Sequence, residues 1–271
     1  MKITVLLENT TKDAGLEPKH GLSLYIETRN HKVLFDLGPD DTYLENARKL
    51  EIDLAEVDTV VLSHGHKDHG GALAGFLQVN HQAKIYLHEQ AFEPYFIRVL
   101  FKKVSIGLDE GLRGNERFVL TDGVTQIDDE LFLFSDVKGN FVTKSNRVLL
   151  KKAARGYAQD DFAHEQNLIV TAEGKTALFS GCSHRGIANI LCRAEVHKPG
   201  IDAVFGGFHL YNPVTKAVEP PEVVEGLIDE LSGYNTVFYT GHCTGDKAFA
   251  HMRDRMGEKV QPLSTGTVIA L

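Results

Sequence analysis

The sequence predicts an α/β protein, and three observations carry that expectation. Short β-type runs rich in Val, Ile, Leu and Phe alternate with segments of helical spacing over most of the chain. Several of those runs stop at a glycine that is followed within a few residues by His or Cys, the pattern of strands whose ends build a site. Composition is that of an ordinary globular chain, 42% hydrophobic and 24% charged over 271 residues, which argues against disorder. No low-complexity linker or internal repeat interrupts it, so one domain over residues 1–271 is expected.

Taken in order, residues 3–7, 22–28 and 32–37 read as strands, the third ending in Phe35-Asp36-Leu37-Gly38. Residues 41–50 have helical spacing, with Leu44, Ala47 and Leu50 on one face. A strand over 58–62 leads into a polar loop, a helix over 71–79 buries Leu73, Phe76 and Leu77, and residues 84–87 form the next strand. Residues 91–114 are dense in apolar side chains (Phe92, Tyr95, Phe96, Val99, Leu100, Phe101). A core helix is the favoured reading and an aromatic lid beside a site the other. Strands are expected at 118–120 and 131–134. Residues 136–166 show weak periodicity and many cations, among them Lys138, Lys144, Arg147, Lys151, Lys152 and Arg155. Regular alternation then returns: a hairpin over 167–180 around Glu173-Gly174-Lys175, helices over 186–196, 221–231 and 246–256, and strands over 203–205, 236–239 and 267–271.

The most specific chemistry lies in Leu62-Ser63-His64-Gly65-His66-Lys67-Asp68-His69-Gly70-Gly71, where three imidazoles and a carboxylate fall within six residues of a strand end. Imidazole and carboxylate suit zinc, iron or manganese. On an extended backbone His64 and His66 alternate and can face one ion, while Asp68 and His69 turn to a second. Three later runs end in Cys182 and His184, in His209, and in His242 and Cys243. Two coordination shells need imidazoles beyond the loop, and His184 and His242 are the expected ones. His209 is expected to bind substrate or move a proton. Cys192, at a helical position beside Ile190 and Leu191, reads as core.

A formal net charge of −8 gives no general attraction to nucleic acid or to an anionic membrane, leaving only a local basic patch open. No apolar run approaches the ~20 residues of a membrane span. Met1-Lys2-Ile3-Thr4-Val5 reads as a first strand and lacks the features of a signal peptide. Three cysteines are too few and too odd in number for a disulfide framework, so a cytoplasmic protein is expected.

The run from His64 to His69 resembles the H-x-H-x-D-H motif of the metallo-β-lactamase superfamily. Gly181-Cys182-Ser183-His184, Gly206-Gly207-Phe208-His209-Leu210 and Thr240-Gly241-His242-Cys243-Thr244-Gly245 are similar to one branch of it. That branch comprises metal-dependent hydrolases similar to the archaeal 7,8-dihydropterin-6-methyl-4-(β-D-ribofuranosyl)aminobenzene-5′-phosphate synthase. The resemblance implies an αββα sandwich, two mixed sheets with helices outside, holding one or two metals at one edge. It implies that His64, His66 and His184 hold one ion and that Asp68, His69 and His242 hold the other. One departure stands out. Most relatives have a bridging aspartate where this chain has Cys182, which either substitutes as a thiolate or leaves the second site weak. His164 is the rival to His184.

The expected cofactors are two divalent ions, zinc first, with iron or manganese as alternatives. The expected activity is a metallohydrolase using metal-bound hydroxide on a small anionic ester, phosphoester or lactone, with Asp68 orienting the nucleophile and His209 assisting. The alternatives are a transferase joining a pterin to an aminobenzene ribose phosphate, and a non-enzymatic metal-dependent binding domain. The sequence leaves the oligomeric state open.

Overall fold

The computed structural model describes residues 1–141 and 143–271. Two seven-stranded sheets stack face to face with helices on both outer surfaces, the four-layer αββα arrangement expected. The first sheet runs Val268–Ala270, Lys2–Leu7, Ser23–Glu27, Lys32–Phe35, Thr59–Val61, Lys84–His88, Phe118–Thr121. The second runs Val260–Pro262, Val237–Thr240, Ala203–Gly206, Lys175–Phe179, Asn167–Ala172, Leu131–Phe134, Val124–Gln126.

Both sheets are mixed. In the first, the four strands from Lys32–Phe35 to Phe118–Thr121 are parallel neighbours. In the second, the parallel neighbours are the four from Lys175–Phe179 to Val260–Pro262. Parallel strands deliver their C-terminal ends to one edge, where α/β proteins place their sites.

Alternation along the strands builds the layers. Ile3, Val5, Leu24, Ile26, Val33 and Phe35 of the first sheet meet Leu131, Leu133, Leu168, Val170, Phe179 and Phe205 of the second in one inter-sheet core. The opposite faces are covered by Thr42–Lys49 and Leu73–Val79 on one side. Ile187–His197, Pro221–Ser232 and Asp246–Met256 cover the other. Asn167–Ala172 and Lys175–Phe179 form the expected hairpin, and its two-residue turn puts both Glu173 and Gly174 at positive φ (57° and 76°), as the strand twist requires.

Two segments and one residue depart from the sequence-based expectation; the residue is Cys192, which is exposed on Ile187–His197 and not part of the core. Residues 91–114 form no core helix. Tyr95–Val99 and Lys102–Ser105 make an antiparallel hairpin whose tip residues Leu100 and Phe101 are 83% and 98% exposed. The apolar density misleads because it is shared between two faces of a strand: Tyr95 stacks on His164 at 3.9 Å, while Phe96 meets Tyr157 at 4.9 Å. Within 136–166, of which residue 142 lies outside the described residues, Leu149–Lys152 pairs with Tyr95–Val99 of that hairpin and, on its other side, with Tyr157–Gln159. The two least periodic stretches thus complete one another as a four-stranded antiparallel sheet standing over the site edge.

Candidate metal centre

The strand ends bring together every site residue expected from the sequence. Donor atoms of His64, His66 and His184 lie within 4.8 Å of one another, and so do those of Asp68, His69, Cys182 and His242. A third such group joins Cys182, His184 and His209, so Cys182 and His184 connect the first two, and a fourth joins His66, Asp160 and His164. The motif is not wholly a loop: after His66 the chain makes a short helix, Lys67–Gly70, which turns the donors of Asp68 and His69 toward Cys182 and His242 while the His69 ring stays 4.3 Å from that of His64. Gly181 is needed for the close approach of the halves, since a Cβ there would sit 2.1 Å from Ser63 Oγ. Four non-glycine residues at these strand ends, Asp36, Ser183, His209 and His242, adopt left-handed backbone (φ 61°, 54°, 48° and 51°). Such strain persists where the surrounding structure over-determines it, commonly at functional sites.

Hydrogen bonds fix which nitrogen each imidazole turns inward. Asp36, fully buried, accepts from Ser63 N and Ser63 Oγ at 2.7 Å each, and from His69 Nδ1 at 2.6 Å. With its hydroxyl proton spent on Asp36, Ser63 Oγ accepts from His64 Nδ1 at 2.8 Å. His184 Nδ1 donates to Asn146 Oδ1 at 2.8 Å, an amide oriented by its own donation to the His184 carbonyl. His242 Nδ1 donates to Asn9 Oδ1 at 3.0 Å. In all four rings Nδ1 is held outside by an acceptor, so in the neutral ring Nε2 presents a lone pair to the interior.

Buried Nε2 atoms of His64, His66 and His184 have no hydrogen-bond partner, a costly condition unless a cation completes it. Burial and the neighbouring imidazoles hold His64 and His184 well below the usual histidine range, which keeps them neutral. Burial alone would lower His69 too, but the charges of Asp36 and Asp68 outweigh it and raise its pKa to about 9. His69 Nε2 lies 3.2 Å from both Cys182 Sγ and His242 Nε2. A divalent ion there would supply the positive charge that a proton otherwise brings. Asp68 is held well below the usual carboxylate range by His69, His20 and His242, against the effect of burial. The donor set therefore fits divalent metal.

His164 sits differently. Its Nδ1 accepts from Gly65 N at 2.9 Å and its Nε2 donates to Asp160 at 3.1 Å, so both nitrogens are engaged. Burial lowers its pKa to about 4 despite the Asp160 carboxylate. His209 is buried with both ring nitrogens unpartnered, its ring 4.3 Å from that of His184.

Sequence reading missed the residues that hold the ligands in place: Asp36, Asn9, Asn146, and Glu8, which accepts His242 N at 2.6 Å. His20 was missed as well; its Nε2 lies 3.4 Å from Asp68 Oδ2 and its ring 4.7 Å from that of His242. For Asp36 a signal existed, because Phe35-Asp36-Leu37-Gly38 has the same form of apolar strand, polar residue and glycine as the other site edges.

A cavity of about 260 Å³ opens over the donors, walled by Ile97 and Ile106 of the exposed-tip hairpin, Leu149, Pro39, Tyr211 and Pro213. Lys67 also lines it, whereas the cations of 138–155 do not. Tyr211, Pro213, His20 and His242 are shared with an adjoining cavity of about 680 Å³ that holds Lys216 and Lys247.

Comparison with known proteins agrees with this architecture. Residues 16–141 match the sequence profile of the Metallo-beta-lactamase superfamily, a span that includes the His64–His69 motif. The chain is 29% identical over 274 residues to the 7,8-dihydropterin-6-methyl-4-(beta-D-ribofuranosyl)-aminobenzene-5′-phosphate synthase of Methanocaldococcus jannaschii, covering 93% of this chain and 90% of that one. It is 25% identical to an uncharacterized protein of the same organism, covering 92% and 93%. The crystal structure of a metal-dependent hydrolase of the beta-lactamase superfamily superposes with a TM-score of 0.84 at 28% identity, covering 100% of this chain and 99% of the other. Zn(2+)-bound PqqB from Methylobacterium extorquens shares the fold, with a TM-score of 0.58 at 12% identity and full coverage of both chains. Residues 16–141 thus carry the match to the metallo-β-lactamase superfamily, and the whole chain shares the fold of a metal-dependent hydrolase of that superfamily.

Proposed function

We propose that the protein is a metallohydrolase that holds two divalent ions, zinc first, and cleaves a small anionic ester, phosphoester or lactone. The observation that carries this reading is the set of inward Nε2 lone pairs, with their Nδ1 protons tied down outside by Ser63, Asp36, Asn146 and Asn9. His64, His66 and His184 are the proposed ligands of one ion, and Asp68, His69 and His242 those of the other. Ions so held act as Lewis acids and bring the pKa of bound water down from 15.7 to about 7.

The chain's own residues do the rest. Asp68 Oδ2, 3.4 Å from His242 Nε2, accepts a hydrogen bond from the attacking water and orients it. His209, facing the cavity with both nitrogens free, protonates the leaving oxygen. Lys67 pairs with the substrate's anionic group, and the apolar walls Ile97, Ile106 and Leu149 exclude water from the reacting bond. A transferase is the second reading, favoured by the likeness to the synthase of Methanocaldococcus jannaschii.

Turnover of a phosphodiester, lactone and thioester panel in ¹⁸O-labelled water tests the proposal. Hydrolysis puts solvent oxygen into product, whereas product formed without it makes the protein a transferase. In the same assay His209→Ala is expected to retain both ions and lose turnover by about 10²-fold or more, as for a general acid. Loss of one metal equivalent in that variant would make His209 a ligand instead.

A further inference from the structure

We propose that a second cavity, on the Asn146 side of His184, is a binding site for a small phosphate-bearing molecule. It measures about 650 Å³ and shares a single lining residue, His184, with the cavity over the metal donors. His184 is the one proposed ligand that lines it, so its occupant sits apart from the reacting bond.

Charge is the first support. Lys144 and Arg147, two of the cations that do not reach the metal cavity, line this one, and neither forms an ion pair among the described residues. Arg185 lines it as well and is held in one pose. Its Nε and Nη2 donate to the Val137 carbonyl at 3.0 and 2.6 Å, and its Nη1 donates to the Asp161 carbonyl at 2.9 Å. Those carbonyls orient the guanidinium without cancelling its charge. The two carboxylates in the lining are already engaged, Asp161 with Lys151 and Asp160 with His164. Glu165 accepts the backbone amides of His184 and Arg185 and does not line the cavity. Three cations against two engaged carboxylates suit a phosphate dianion, which takes charge-assisted hydrogen bonds from both guanidinium and ammonium groups.

Thr143 is the second support. Its residue is 4% exposed, it lines the cavity, and its Oγ1 has no hydrogen-bond partner among the described residues. Thr143 precedes the one-turn helix Lys144–Val148, where a threonine hydroxyl ordinarily caps an amide, yet it makes no cap bond. The amide of Ser145 goes to Glu219 Oε1 at 2.5 Å instead. A buried hydroxyl left without a partner is costly, and a phosphate oxygen in the cavity would accept its proton. The floor of the cavity carries the third support, since Asn146 and Phe162 line it while holding His184, by a hydrogen bond of 2.8 Å and a ring stack of 4.4 Å.

The test is equilibrium dialysis of the zinc-loaded protein against ³²P-labelled inorganic phosphate. Zinc ions take up phosphate themselves, so the readout is the phosphate lost when the cavity cations are removed at matched zinc content. Lys144→Ala/Arg147→Ala is expected to lose one equivalent, its affinity falling by about 10-fold or more for each cation removed. Lys144→Gln and Arg147→Gln, which keep side-chain length, give the same answer singly should the double variant fold poorly. Lys138→Ala, a cation of the same segment that does not line the cavity, should change nothing. Thr143→Val should weaken the same equivalent by about 10-fold with thermal stability unchanged or raised, because valine keeps the shape and removes the unpartnered hydroxyl. Equal phosphate uptake by the unmodified chain and the cation variants would place all of it at the ions and overturn the site. A Thr143→Val protein that loses stability and binds phosphate as before would make that hydroxyl structural and overturn the assignment as well.

Discussion

Asp36→Ala is expected to destabilise the protein by about 3–5 kcal/mol, the usual cost of removing one partner of a buried, hydrogen-bonded charge. Asp36 accepts three hydrogen bonds, from Ser63 N, Ser63 Oγ and His69 Nδ1, and its removal strands all three donors in the interior. Released from Asp36, the Ser63 hydroxyl no longer presents its lone pairs to His64 Nδ1, so one substitution frees a ring in each donor group. Zinc affinity should fall by about 10- to 100-fold, as it does when a ligand loses its supporting carboxylate. Asp36→Asn separates these effects. Asparagine tolerates the left-handed backbone at this position (φ 61°) and keeps one acceptor oxygen, so it should cost less stability while still weakening zinc. Urea unfolding and competition with a chromophoric chelator measure the two. An Asp36→Asn protein with unaltered zinc affinity would remove Asp36 from the support of the centre.

His184→Ala and His164→Ala should fail in opposite ways. His184 Nε2 has no partner, so alanine there takes a ligand from the first group, besides opening the stack on Phe162 and leaving Asn146 Oδ1 without its donor. Its metal affinity should drop by more than the roughly 10- to 100-fold seen when only a ligand's partner is lost. His164 is bonded at both nitrogens, to Gly65 N and Asp160, and stacks on Tyr95. Its removal strands a buried amide and a buried carboxylate, worth about 1–3 kcal/mol each, and should appear as lost stability. The reverse ranking, with metal lost on removing His164 and retained on removing His184, would move the first ion to His164 and Asp160.

These contrasts also mark how far the site was legible in the chain. The motif from His64 to His69 is local, so spacing alone exposes it. His184, His209 and His242 are readable because each follows an apolar strand and a glycine, a pattern that parallel strands bring to one edge. Asp36 has the same setting but is a lone carboxylate, and nothing in its neighbourhood says that it will meet Ser63 and His69. Asn9, Asn146 and His20 lie in irregular stretches and reach the site only through contacts of long sequence separation. For the same reason the sheet over the site was not legible. Tyr95–Val99 pairs with Leu149–Lys152, strands about fifty residues apart in sequence, and neither alone carries a strict alternation of apolar and polar residues.

Elemental analysis of protein reconstituted with zinc and freed of loosely bound ion tests the two-centre reading most directly. Two equivalents are expected in the unmodified chain, and one in each of His64→Ala and His66→Ala, with the Asp68, His69 and His242 group still loaded. Two full equivalents in either variant, or fewer than two in the unmodified chain, would contradict it.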